Sequence, residues 1–227
     1  MSGDENDRGS YASPPCFLHE LSADRGGIPG ATDPVQARDV AHWRKAERAR
    51  LLAMRAALRV AERQAAAEAV ARHLDALLGD VKGLTVSAWW PIQAELNLRP
   101  WLAGLAARGA RAALPLVVEK AAPLRFREWR EGTKMERGFW NIPVPAEGEW
   151  IIPDIALSPL VGHDAEGFRL GYGGGYFDRT LAAHPEVRAI GIGLDCARIG
   201  TIYPQWHDVP MTAIVTESGT APAAPGT

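Results

Sequence analysis

Five apolar runs of strand length do most to fix what this chain can fold into: Leu84 to Trp90, Arg111 to Val118, Asp154 to Val161, Arg188 to Asp195 and Ala213 to Glu217. Runs that are apolar throughout read as strands buried on both faces, the habit of a parallel sheet covered by helices. Leu124 to Trp129 alternates instead and reads as a strand with one wet face. Helix-compatible stretches at Pro100 to Arg108 and Phe177 to Ala183 lie between the runs. The expected fold is therefore α/β, a Rossmann-like three-layer sandwich with a mostly parallel central sheet flanked by helices.

Upstream, Asp39 to Leu78 contains no Gly or Pro and is dominated by Ala, Arg, Glu and Leu, a strongly helical composition. Leu51, Leu52, Met54, Leu58, Val60, Val70, Leu74 and Leu77 supply an apolar stripe, and Gly79 can end the run. Two helices with a break near Arg59 to Arg63 are expected. The arginines at 44, 48, 50, 55, 59 and 63 fall mostly on the polar side, where a solvated face is the simplest reading; the sharper one is that Arg44 and Arg48, four apart, reach over a ligand. Residues 1–36 are rich in Gly, Pro, Asp and Ser and read as a mobile extension; 37–217 form a single α/β domain; 218–227 read as a disordered tail. Cys16, His19 and Glu20 make only a weak metal trio within the extension.

A formal net charge of -2 with a pI of about 6.3 argues against a nucleic-acid binder. The two cysteines, Cys16 and Cys196, have no paired spacing, so a reducing, cytoplasmic setting is expected. There is no apolar signal segment at the N-terminus and no long apolar span, which leaves no membrane association to predict.

One stretch carries the chemistry. Between Arg169 and Asp178, Gly171, Gly173, Gly174 and Gly175 fall within five positions, after an apolar run and before a helix. Successive backbone N–H groups leading into a helix N-terminus attract anions, so a phosphate cradle is expected, with a tight surface loop as the alternative. Glu95 sits where a strand hands over to a helix, the place at which open α/β sheets bind ligands; the alternative is a charge that suits the helix dipole. Phe139 and Trp140, in the Pro-stiffened stretch Met135 to Pro145, read as a ligand wall or as a surface-covering loop.

The run Arg169-Leu-Gly-Tyr-Gly-Gly-Gly-Tyr-Phe-Asp-Arg179, together with Pro204-Gln-Trp-His-Asp208, resembles the 5-formyltetrahydrofolate cyclo-ligase family, also called methenyltetrahydrofolate synthetases. The resemblance runs from about Trp43 to Glu217. It implies an enzyme that uses ATP and Mg²⁺ to convert 5-formyltetrahydrofolate to 5,10-methenyltetrahydrofolate through a phosphorylated formyl group. It implies catalytic roles for Arg169 and Tyr176, and ATP contacts from Arg44 or Lys45, Arg48, Arg169, Gly171, Gly173, Gly174, Gly175, Tyr176, Phe177 and Asp178. Asp178 and Asp208 would hold Mg²⁺; a helix N-cap and a turn residue are their blander readings. Glu95, Phe139, Trp140 and Tyr176 would contact the folate. Two positions depart from the family pattern: Phe177 replaces a second tyrosine, and Val144 replaces a glutamate. The alternatives are an ATP-dependent relative acting on another formylated or carboxylated small molecule, or a folate or nucleotide module without turnover. A monomer or homodimer is expected.

Overall fold

The short apolar runs become the parallel centre of one sheet. The computed structural model describes residues 34–222; the trio Cys16, His19 and Glu20 and most of the expected extension lie outside the described residues. Two helices open the described chain, α1 (Pro34–Ala57) and α2 (Val60–Leu78). No Gly or Pro divides them. The chain turns at Leu58–Arg59, and the Glu62 carboxylate accepts the Arg59 backbone N–H at 2.8 Å, satisfying a donor that the new helix start leaves open.

The strands follow: β1 (Thr85–Ser87), β2 (Arg111–Leu116), β3 (Arg125–Trp129), β4 (Met135–Arg137), β5 (Pro143–Pro145), β6 (Trp150–Ile151), β7 (Ile155–Pro159), β8 (Gly162–His163), β9 (Arg169–Leu170), β10 (Arg188–Ile192), β11 (Ala213–Thr216) and β12 (Gly219–Pro222). Helix α3 (Arg99–Gly104) links β1 to β2, and α4 (Tyr176–Ala183) links β9 to β10. The main sheet has the order β12-β11-β10-β7-β1-β2-β3-β6, parallel from β11 to β2 and antiparallel at both ends. β4 with β5, and β8 with β9, form separate antiparallel pairs. The expectation of a tail from residue 218 does not hold for Gly219–Pro222, which pair along β11 from Ala213 to Thr216.

Alternation along the central strands sorts the core into two layers. Val86, Leu114, Leu157, Ile190 and Val215 pack with Leu51, Val70, Leu74 and Leu102 from α1, α2 and α3. Ala156, Ala189 and Ile214 pack on the other face with Leu181 of α4, and Ala113 and Phe126 sit beneath Tyr176 and Phe177. The sheet thus lies between helices, as the sequence implies. From β1 the chain passes first to β2 on one side and later to β7 on the other. That reversal opens a crevice at the carboxyl ends of β1 and β7, where doubly wound sheets bind ligands. The loop carrying Glu95 leaves β1, and the β8–β9 hairpin leading to the glycine run leaves β7.

Candidate active site

Arg44, Arg48 and Arg55 recur at intervals of four and seven, which puts them on the face of α1 that Leu51 buries. Arg44 donates to the carbonyls of Ile202 and Tyr203, each at 2.9 Å, and pairs with Asp208 at 2.5 Å. Arg48 donates through Nε to the Gly171 carbonyl at 2.7 Å. Arg55 donates to the carbonyls of Gln93 (3.2 Å) and Leu160 (3.4 Å) and to the Tyr172 hydroxyl (2.5 Å). One helix face therefore ties together the loops after β1, β7 and β9 and the segment 202–208. The solvated-face reading fails for Arg44 and Arg55, which are buried, and holds for Arg50 and Arg59, which pair with Glu47 and Glu62 at the surface. Lys45 is exposed.

The glycine run bridges β9 and α4. Gly173 (φ +99) and Gly175 (φ +62) occupy backbone regions that side chains disfavour, and Gly175 takes the N-cap position of α4. Gly174 is needed for space: a Cβ there would lie 2.8 Å from the Tyr176 ring. Gly171 meets no such limit. Guanidinium groups stand on both sides, Arg48 against Gly173 and Arg179 against Gly175, and Arg179 donates to the Gly174 carbonyl at 2.7 Å. With the Gly171 and Gly174 carbonyls taken up by arginines, their negative ends are offset. The loop's N–H groups and the α4 dipole then favour an anion.

Arg169 is buried, paired with Asp178 at 2.8 Å, bonded to the Val209 carbonyl at 3.3 Å and set over the Phe177 ring at 5.6 Å. Asp178 is the third residue of α4, not its cap, and its other oxygen accepts the Val209 N–H at 3.2 Å. Asp208 accepts the Gln205 N–H at 2.7 Å besides its Arg44 pair, with His207 Nε2 3.9 Å away. Val209 brings the two aspartates to one segment, yet each carboxylate is neutralised by a buried arginine and bonded to a backbone N–H. As arranged, both carboxylates are taken up by arginines, so a hard cation held there together with phosphate oxygens would compete with those two pairs.

Glu95 is 8% exposed. Its Oε1 accepts the Tyr172 hydroxyl at 2.8 Å and its Oε2 accepts the Ile92 N–H at 2.9 Å. Burial pushes its pKa above the ordinary 4.5, opposed by the Ile92 N–H, the Tyr172 hydroxyl, the Arg55 charge and the Trp89 indole. Burial and the Glu95 charge push the Tyr172 phenol upward too, so it stays protonated and donates. The Trp89 indole N–H is buried on the same small cavity, of about 20 Å³, and lies near the carboxylate without a hydrogen bond of ordinary geometry to any described residue. A buried acceptor beside a buried donor that lacks an ordinary hydrogen bond is a costly arrangement unless a further polar group or a water reaches both.

Phe139, Trp140 and Tyr176 lie together in one aromatic cluster. Trp140 meets the Tyr176 ring edge-on at 5.5 Å, and Phe139 meets Trp140 at 5.8 Å. Phe139 and Trp140 are 45% and 53% exposed, open to a flat partner. Backbone strain collects in the same loops: Gln93, Ala94, Trp140, Asn141 and Tyr203 all have positive φ without being glycine. The two departures from the family pattern have packing reasons. Val144 is buried with its methyl groups filling the space a side chain at Gly138 would take, and Phe177 rests on the Ala113, Leu124 and Phe126 cluster below Arg169. Arg55, Tyr172, Trp89 and Arg179 are site residues that pattern reasoning passed over.

Comparison with known proteins fits this geometry. Residues 40–217 match the model of the 5-formyltetrahydrofolate cyclo-ligase family. The 5-formyltetrahydrofolate cyclo-ligase of Mycolicibacterium smegmatis is 35% identical, over 74% of this chain and 91% of the relative. The Escherichia coli K12 protein of the same name is 30% identical, over 59% of this chain and 78% of its own length. The NMR structure of Aquifex aeolicus 5,10-methenyltetrahydrofolate synthetase superposes with a TM-score of 0.69 at 26% identity, covering 81% of this chain and 94% of that one. A Mycoplasma pneumoniae 5,10-methenyltetrahydrofolate synthetase shares the fold, with a TM-score of 0.63 at 24% identity over 77% of this chain and 98% of that one. The glycine loop, the arginine face of α1 and the buried Glu95 thus belong to a chain that is a member of the 5-formyltetrahydrofolate cyclo-ligase family.

Proposed function

We propose that this protein converts 5-formyltetrahydrofolate to 5,10-methenyltetrahydrofolate with consumption of ATP. The observation that carries the reading is the direct link between the two halves of the site: Tyr172, inside the glycine loop, hydrogen-bonds Glu95, the buried acceptor beside Trp89. A phosphate cradle and an acceptor for a flat heterocycle therefore share one wall.

In this reading the glycine-loop N–H groups, Arg48 and Arg179 receive the phosphates, whose transfer needs positioning and charge neutralisation more than covalent help. The formyl oxygen takes the γ-phosphoryl group and ADP departs. The N10 amine then attacks the activated formyl carbon, the C–O bond to phosphate breaks, N10 loses its proton, and phosphate and the methenyl product remain. Glu95 accepts N–H bonds from the pterin, using the lone pairs that Tyr172 and Ile92 leave, and the Trp89 N–H supplies a donor beside it. The cavity against Glu95 has room for a water or two and not for a bicyclic ring, so the strained Gln93–Ala94 turn or the Trp89 ring shifts when folate enters. Trp140, Phe139 and Tyr176 cover the ring system and the p-aminobenzoyl group.

Arg169 and Arg44 act through the loops they hold. A Mg²⁺ ion would supply charge neutralisation at the phosphates, and Asp178 and Asp208, each paired with a buried arginine, are the carboxylates that would lie nearest to hold it. Glu95→Gln tests the folate half: the reading expects a raised KM for 5-formyltetrahydrofolate with the KM for ATP little changed, and an unaltered folate KM rejects it.

A further inference from the structure

Tyr172 belongs to two structures at once. Its backbone lies between Gly171, whose carbonyl Arg48 holds at 2.7 Å, and Gly173, at φ +99, so it moves with the phosphate loop. Its hydroxyl lies between Arg55, which donates to it at 2.5 Å, and Glu95, which accepts from it at 2.8 Å. Arg55 is anchored in turn to the carbonyls on either side of the crevice, Gln93 and Leu160. A hydrogen bond to a carboxylate weakens steeply once its length or angle departs from the ordinary range. Any displacement of the glycine loop by a bound phosphate would therefore change how firmly Glu95 is held.

We propose that Tyr172, backed by Arg55, is a positioning residue that couples the nucleotide and folate halves of the site, so that each ligand binds more tightly when the other is present. The proposal rests on reading Glu95 as the folate acceptor. Binding free energies are reciprocal, so the same factor must appear in both directions.

The test is a calorimetric cycle on the intact protein. The affinity for 5-formyltetrahydrofolate is measured without nucleotide and with a saturating, non-hydrolysable β,γ-imido ATP analogue and Mg²⁺; the analogue's affinity is measured with and without folate. In the unmodified protein each ligand should tighten the other, by about five- to a hundredfold. Tyr172→Phe keeps the ring and its packing but loses the hydroxyl. It should weaken folate binding by about tenfold or more, bring the coupling factor near one, and leave the affinity of the analogue alone unchanged. Arg55→Lys, which withdraws the guanidinium but leaves the phenol on Glu95, should reduce the coupling factor while the folate affinity without nucleotide falls less. A coupling factor in Tyr172→Phe equal to that of the unmodified protein overturns the proposal. Glu95→Gln separates this from failure of the underlying reading: full folate affinity in that variant shows that Glu95 is not the acceptor at all.

Discussion

Replacing Arg44 by Met removes the cation from a buried pair whose side chains are each 9% exposed. Asp208 is then left with the Gln205 N–H and a histidine 3.9 Å away as its nearest compensation. Breaking a buried pair from one side costs about 3–5 kcal/mol, because the remaining charge is stranded. The Ile202 carbonyl, at a fully buried residue, loses its partner as well, whereas Tyr203 is 48% exposed and water can replace the arginine there. With a urea m-value of about 2 kcal/mol/M for a domain of this size, the unfolding midpoint should fall by about 1.5–2.5 M. Asp208→Asn alone should cost less, since the arginine keeps the Ile202 and Tyr203 carbonyls and a neutral acceptor at position 208. The double variant should be better than the sum of the singles by about 1–3 kcal/mol, the signature of direct coupling. Lys45→Met, at an exposed site, should stay within about 0.5 kcal/mol of the parent. A parental midpoint for Arg44→Met with only a raised ATP KM, or strict additivity in the cycle, would refute this account and return Arg44 to direct phosphate binding.

Gly174→Ala should raise the KM values for ATP and folate together, because its Cβ would meet the Tyr176 ring at 2.8 Å and push it from Trp140; Gly171→Ala, with nothing within 4 Å, should leave thermal stability unchanged, and equal stability and KM values in both variants would remove the steric argument. The pH profile of kcat/KM should show an acid limb from Glu95 above the ordinary 4.5, since burial raises it and ionised Glu95 is lost as pH falls through that value. The groups that hold it ionised are Arg55 from α1, Tyr172 from the glycine loop, the Ile92 N–H and Trp89, so Tyr172→Phe should move the limb further up; a limb unmoved by that change, or moved down, would contradict the assignment. Asp178→Asn strands Arg169, which is 5% exposed, and should lower stability by roughly 2–4 kcal/mol without rescue by added Mg²⁺; restored turnover at high Mg²⁺ would favour a metal role for Asp178.

The layered fold was readable because strands buried on both faces announce themselves by composition. β1, β2, β7, β10 and β11 all fall within the runs starting at Leu84, Arg111, Asp154, Arg188 and Ala213. The two-residue strands β6, β8 and β9 are too short to show a period, and β12 forms only because β11 offers it an edge. At the site, the glycine run signalled itself through chemistry, whereas Arg55 did not. Polarity patterning places an arginine on the wet side of a helix, and only its position eleven residues after Arg44, on the face of Leu51, marked it as inward. Tyr172 lay inside the recognised motif without a role of its own, because its partners Arg55 and Glu95 are far away in sequence. The aspartates carried the reverse lesson: oxygen donors suited to Mg²⁺ are equally suited to buried arginine, and the surrounding fold supplied the arginine.

Turnover of 5-formyltetrahydrofolate tests the central claim most directly. Purified protein with ATP, Mg²⁺ and that substrate should accumulate the methenyl product, followed by its near-ultraviolet absorbance, together with one ADP per product and no reaction when ATP is left out. A folded protein that binds nucleotide yet forms no methenyl product under these conditions would contradict the claim.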